Sequence, residues 1–172
     1  MMRPMRVCAW LVEGTWQGCI DAAAGSIPAD ASVVLLHVTP ADVAEAVEAA
    51  AAGRFGRAFS AHRPTRRIEA SADAAASDLL AAAAARLGRE DAELAARRGR
   101  IEREVVSAVA EGVDLLVAAR DGDRSRLGPH SLGHATRFVV DHAPCAVLLV
   151  WPDAPPGVDS IPPPPHHHPP PP

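Results

Sequence analysis

The stretch 113–150 reads VDLLVAARDGDRSRLGPHSLGHATRFVVDHAPCAVLLV. Two short apolar runs, Val113–Ala118 and Ala146–Val150, frame it. Each has the length of a strand. Apolarity that is continuous rather than alternating marks strands covered on both faces, as in a parallel sheet. Between the runs, Ala135, Phe138, Val139 and His142 recur at helical spacing until Pro144 ends the pattern. Ahead of that helix lies a glycine-rich loop carrying Arg120, Arg124 and Arg126 and closing at Gly133. Free N–H groups at a helix N-terminus attract anions, glycine admits a phosphate to the backbone, and arginine neutralises its charge. On these residues alone an anion site and a capped surface loop both stay open.

Working outward, Val7–Val12 and Val33–Val38 are further buried-strand runs, and Ala92–Arg97 is a plausible edge strand. A first helix is expected from an N-cap at Thr15, with Trp16, Cys19, Ile20 and Ala23 on one face and Gly25 as its stop. Ala-rich Ser71–Leu87 forms a second helix, and Ile101, Val105, Ala108 and Val109 mark another. The order β-α-β-α-β-α-β-α-β predicts an α/β fold: a single doubly wound, five-stranded parallel sheet with helices on both faces. Ala41–Ala70 is an extra Ala/Arg-rich insertion in which Arg54, Arg57, Arg63, Arg66 and Arg67 lie in an acid-free stretch, read as a solvated face.

The chain has 172 residues, 48% hydrophobic and 22% charged, which suits one domain, assigned to 1–152. Residues 153–172 turn to Pro, Gly and Asp and end in PPPPHHHPPPP, a composition that builds no core and reads as a disordered Pro/His-rich tail without a specific ligand. The cysteines, Cys8, Cys19 and Cys145, are odd in number and lack paired spacing, so no structural metal or disulfide is expected. No secretory or membrane-spanning pattern stands out, and a cytoplasmic location without membrane attachment is expected. The net charge of −4 gives no bulk attraction to nucleic acid. All 17 basic residues are arginine, which removes P-loop and Schiff-base lysine chemistry.

With VDLLVAARDGDRSRLG, SLGHATRFVVDHAPCAVLLV and the HAPC turn in view, the chain resembles the universal stress protein family over nearly its whole length to Val150. The resemblance implies strand order 3-2-1-4-5 and a stress-response regulator that binds ATP or a related adenine nucleotide. Nucleotide-binding members carry G-x2-G-x9-G-(S/T). Here Ala119 takes the first glycine, Gly122 the second, Gly133 the third and His134 the hydroxyl, with the loop one residue longer. Glu13 falls where the family has an aspartate after the first strand, and Val38 where it has an adenine-contacting valine. The implied nucleotide site comprises Glu13, Thr15, Val38, Ala119, Gly122, Arg124, Arg126, Gly133, His134, Ala135 and Thr136. The altered glycine and the His134 ring imply weakened affinity. The family also implies a homodimer through Ala146–Val150, with Trp151 packing at the end of the seam; a further protein partner, of unknown identity, is expected as well.

Alternatives are a nucleotide-independent dimeric interaction module and, with no evident general base, a slow ATP hydrolase. His130-Ser131-Leu132-Gly133 is similar to a lipase nucleophile elbow, but Pro129 replaces its first glycine. Asp121, Asp123 and Ser125 mimic a calcium loop, yet Arg126 occupies the glycine position. His142, beside Asp141, is expected to face the sheet or a dimer partner, and Cys145 to be an inert core thiol.

Overall fold

Runs this densely apolar leave a strand no solvent face, so they must be sandwiched. The computed structural model, which describes residues 3–41 and 62–163, shows that arrangement. The strands are β1 Arg6–Trp10, β2 Ser32–Pro40, β3 Glu93–Gly99, β4 Leu115–Ala119 and β5 Ala146–Val150, all parallel, in the order β3-β2-β1-β4-β5. The helices described are α1 Trp16–Ser26, α2 His62–Leu87, α3 Ile101–Ala110 and α4 His134–His142. β1 sits at the centre, with Cys8 opposite Val34 on one side and Leu116 on the other.

Side chains alternate across the central strands. Val7, Ala9 and Leu11 face the layer of α1 and α2, where they pack with Ile20, Leu80 and Ala83. Cys8 and Trp10 face the layer of α3 and α4, where Val105, Val109 and Val139 meet them. Leu35 and Leu36, neighbours on β2, are wholly buried in opposite layers. Cutting either to alanine would cost about 2–5 kcal/mol.

Several local expectations shift. Thr15 stands at the N-cap of α1, but its side chain makes no capping bond; the hydroxyl turns back to donate to the Val12 carbonyl at 3.2 Å. α1 runs past Gly25 to Ser26 and stops ahead of Pro28, whose ring cannot continue a helix. α2 starts at His62 rather than Ser71, so the end of the expected insertion is helical. Pro64 falls in its first turn, where a missing N–H costs nothing. Arg54, Arg57 and the side chains of Arg63, Arg66 and Arg67 lie outside the described residues.

Residues 153–163 were expected to be part of a featureless tail. They instead return along the domain, with a 3-10 turn at Val158–Ser160. The remainder, including His166, His167 and His168, lies outside the described residues. Among the described residues no helix is long and apolar enough to cross a membrane.

Candidate functional site

A doubly wound sheet opens a crevice at the carboxyl ends of the strands where the order reverses, here between β1 and β4. β1 leads through Leu11, Val12 and Glu13 to Gly14, whose φ of 78° makes the turn into α1. Glu13 is exposed at this lip and Thr15 is buried behind it. On the other lip β4 delivers the chain into the loop 120–133 and then α4.

That loop is closed on itself. Gly122 donates its N–H to the Ser131 carbonyl at 2.9 Å and Asp123 to that of His130 at 2.8 Å. The approach is so tight that a methyl group on Gly122 would lie 2.9 Å from the Ser131 carbonyl carbon and 2.8 Å from that of Leu132. Only glycine fits there. Ser131 is wholly buried; its hydroxyl donates to the Gly128 carbonyl at 2.7 Å and accepts from the Arg120 guanidinium.

The seat for an anion is present, and the chain fills it. Gly133, the N-cap of α4, donates its N–H to the Asp121 carboxylate at 2.8 Å. A side chain at Gly133 would press on both carboxylate oxygens, at 2.8 Å each, so glycine here admits a negative group next to the backbone. The positive end of the helix favours it by about 0.3–1 kcal/mol.

The arginines of the loop are likewise matched. Arg126 pairs with Asp123 at 3.1 Å, and Arg124 pairs with Asp153 at 2.7 Å. Asp123 also accepts from the Ser125 hydroxyl and N–H, which first of all hold its carboxyl below the usual range, with Arg126 adding to them. These pairs are exposed, and such pairs contribute about 0–1 kcal/mol each, so an incoming anion can exchange for them. Arg120 lies over the Trp151 ring, its guanidinium carbon 4.8 Å from the centroid. Trp151 is thus engaged within the chain.

The remaining positions divide. The Ala119 side chain is buried in the α1/α2 core layer, so its methyl stands in the core. Val38 is buried in the opposite layer, at the end of β2. His134 is exposed on the first turn of α4 and adds the last and smallest of the influences that lower the Glu102 carboxyl, behind the N–H at the start of α3 and Arg100. Ala135 is half-buried against the α3/α4 layer, and Thr136 is wholly buried. Glu13, Gly122, Arg124, Arg126, Gly133 and His134 therefore lie on the two lips, while Thr15, Val38, Ala119 and Thr136 support them from inside.

By sequence, Asp121 and Ser131 belong only to the calcium-loop and lipase-elbow lookalikes. Their signal was position: a carboxylate just after a strand whose loop ends at a helix N-terminus can cap that helix itself. His142 does not face the sheet. It is exposed, its ring stacked on Phe138 with centroids 3.9 Å apart, because residues four apart meet on one helix face. Burial pushes the Cys8 and Cys19 thiols up to about 12. Cys145, half-buried, is also raised, by burial first. Among the described residues no group of three His, Cys, Asp or Glu side chains converges as a metal site. An open concavity lined by Arg3, Pro4, Met5, Asp30 and Asp114 lies at the amino ends of the strands, away from the crevice.

The profile of the universal stress protein family matches residues 22–150. Among solved structures, universal stress protein UspA from Lactobacillus plantarum superposes with a TM-score of 0.64 at 18% identity, over 87% of this chain and 99% of that one. A universal stress protein in complex with cAMP gives 0.56 at 17% identity, over 88% and 100%. The universal stress protein from Archaeoglobus fulgidus in complex with dAMP gives 0.52 at 16% identity, over 87% and 98%. Identities this low speak to the fold alone. No curated protein sequence matches the chain.

Proposed function

Because this chain belongs to the universal stress protein family, we propose that it is a regulator which binds ATP or a related adenine nucleotide, with weakened affinity, in the crevice between β1 and β4. The observation that carries the reading is the Asp121 carboxylate on the Gly133 N–H at 2.8 Å. A helix end that holds a carboxylate next to glycine backbone is built to hold an anion. The same contact accounts for the weakening, since a phosphate must displace Asp121 or bear its repulsion. Relatives in complex with cAMP and dAMP support the ligand class. In this reading Glu13 accepts from ribose or base hydroxyl and amino groups, and Arg124 and Arg126 exchange their carboxylates for phosphate oxygens.

Calorimetric titration with ATP tests this. Asp121→Asn keeps an amide oxygen for the Gly133 N–H and removes the charge. We expect it to bind at least about tenfold more tightly than the wild type, a change of about 1.4 kcal/mol. If neither protein binds any adenine nucleotide at millimolar concentration, the reading fails. The self-neutralised loop would then favour the second reading, a nucleotide-independent module acting through a dimer surface.

The dimer is proposed in both readings, formed edge to edge through β5 with a second copy of the chain. In support, β5 is the outermost strand of the sheet and its sequence AVLLV carries no charge.

A further inference from the structure

We infer that Trp151–Ser160 is a strap that latches the 120–133 loop in its closed form and restrains ligand entry, an inference that rests on the nucleotide reading above. The segment leaves β5 at the carboxyl end of the sheet and touches both sides of the crevice. On the α1 side, the Pro152 backbone lies so close to Gly18 that an added methyl group would overlap its carbonyl. On the loop side, Asp153 pairs with Arg124 at 2.7 Å. Further along, the Leu127 N–H donates to the Ser160 hydroxyl at 2.9 Å, and that hydroxyl donates to the Gly157 carbonyl at 2.6 Å. Trp151 holds the root of the segment against Arg120, which in turn bonds Ser131 inside the loop.

The character of these contacts makes the strap a latch rather than a fixed part of the core. Beyond the half-buried Trp151 and Pro152 at its root, Val158 remains 73% exposed, so apolar burial does little to hold down the rest of the segment. What holds it is an exposed ion pair, a hydrogen bond and a cation over a ring, each weak and each replaceable. One of them occupies a cation that an anionic ligand needs. A phosphate that takes Arg124 must release Asp153, and with it the strap. Apparent affinity is then the intrinsic affinity multiplied by the fraction of molecules in which the latch is open.

The test uses the full chain. Asp153→Ala combined with Ser160→Ala removes the contacts to Arg124 and Leu127 and leaves Trp151 on Arg120, and Gly18→Ala displaces Pro152 while improving the helix propensity of α1. Amide hydrogen exchange is read at Gly122 and Asp123, whose N–H groups bond to Ser131 and His130 and touch no strap residue. ATP affinity is read by calorimetry. Both variants are expected to exchange about tenfold faster at these amides and to bind about tenfold more tightly. Unchanged exchange at Gly122 and Asp123 overturns the latch whatever the ligand does. Faster exchange with equal or weaker ATP binding overturns its restraint on entry. If no form binds an adenine nucleotide, the function proposed above falls, and the exchange readout alone decides the latch.

Discussion

Thr136 sits in the first turn of α4 with no exposed surface, and its hydroxyl oxygen has no hydrogen-bond partner among the described residues. Leaving a buried polar group unpaired costs about 1–3 kcal/mol. Valine has nearly the same shape without that group. Thr136→Val is therefore expected to stabilise the domain by about 1 kcal/mol, read as a higher urea midpoint at unchanged slope. A loss of similar size would mean that the hydroxyl is bonded in solution. The sequence marks Thr136 as helix-opening and hydroxyl-bearing, which fits a ligand contact equally well; burial alone separates the two roles. Asp121 shows the converse. It looked like a stray calcium-loop ligand until the loop closed and brought it to Gly133.

The two edges of the sheet differ. β3 presents Glu93, Arg97 and Arg98, tied to Arg6, Glu111 and Asp73 at 3.1, 2.7 and 2.6 Å. Charges along an edge discourage a second strand from docking, because pairing would strip or crowd them. β5 has no such guard. An uncharged apolar edge is an aggregation hazard unless something covers it, and a second copy does so by closed symmetry. Sedimentation velocity at micromolar concentration is expected to give a dimer, and a monomer at that concentration would remove the β5 proposal. Among the described residues, the apolar stripes of the helical layers meet the sheet.

For the molecule as a whole, Asp114 ties the start of β4 to the chain entering β1. Its carboxylate accepts from the Arg6 N–H at 2.8 Å and from the Arg3 guanidinium at 2.6 Å. The Arg6 N–H first, and then Arg3, hold its carboxyl below the ordinary value of 3.8. A carboxyl whose value is lower in the folded state stabilises that state above its unfolded value, and the contribution fades as pH falls through the folded one. Asp114→Ala is thus expected to melt below the wild type at neutral pH. The gap should narrow only when the pH drops under about 4, where the unfolded chain takes up its proton. Equal melting temperatures at pH 7 would show that this clamp adds nothing measurable.

By itself the sequence determined the layered architecture. Val7–Val12 and Ala146–Val150 are apolar without interruption, Val33–Val38 and Val113–Ala118 are broken only by His37 and Asp114, and the helices between them carry one-sided stripes; both signals are local and survive without knowledge of neighbours. It also showed glycine, arginine and a helix start within one stretch before α4, which left an anion site and a capped surface loop both open. Only the tertiary structure decided which groups meet there. Asp121 reaches Gly133, Asp153 reaches Arg124, and Ser160 reaches Leu127 across separations of 12, 29 and 33 residues. Nothing in the spacing of a carboxylate names its partner, because a polar side chain bonds whichever donor loop closure brings within about 3 Å.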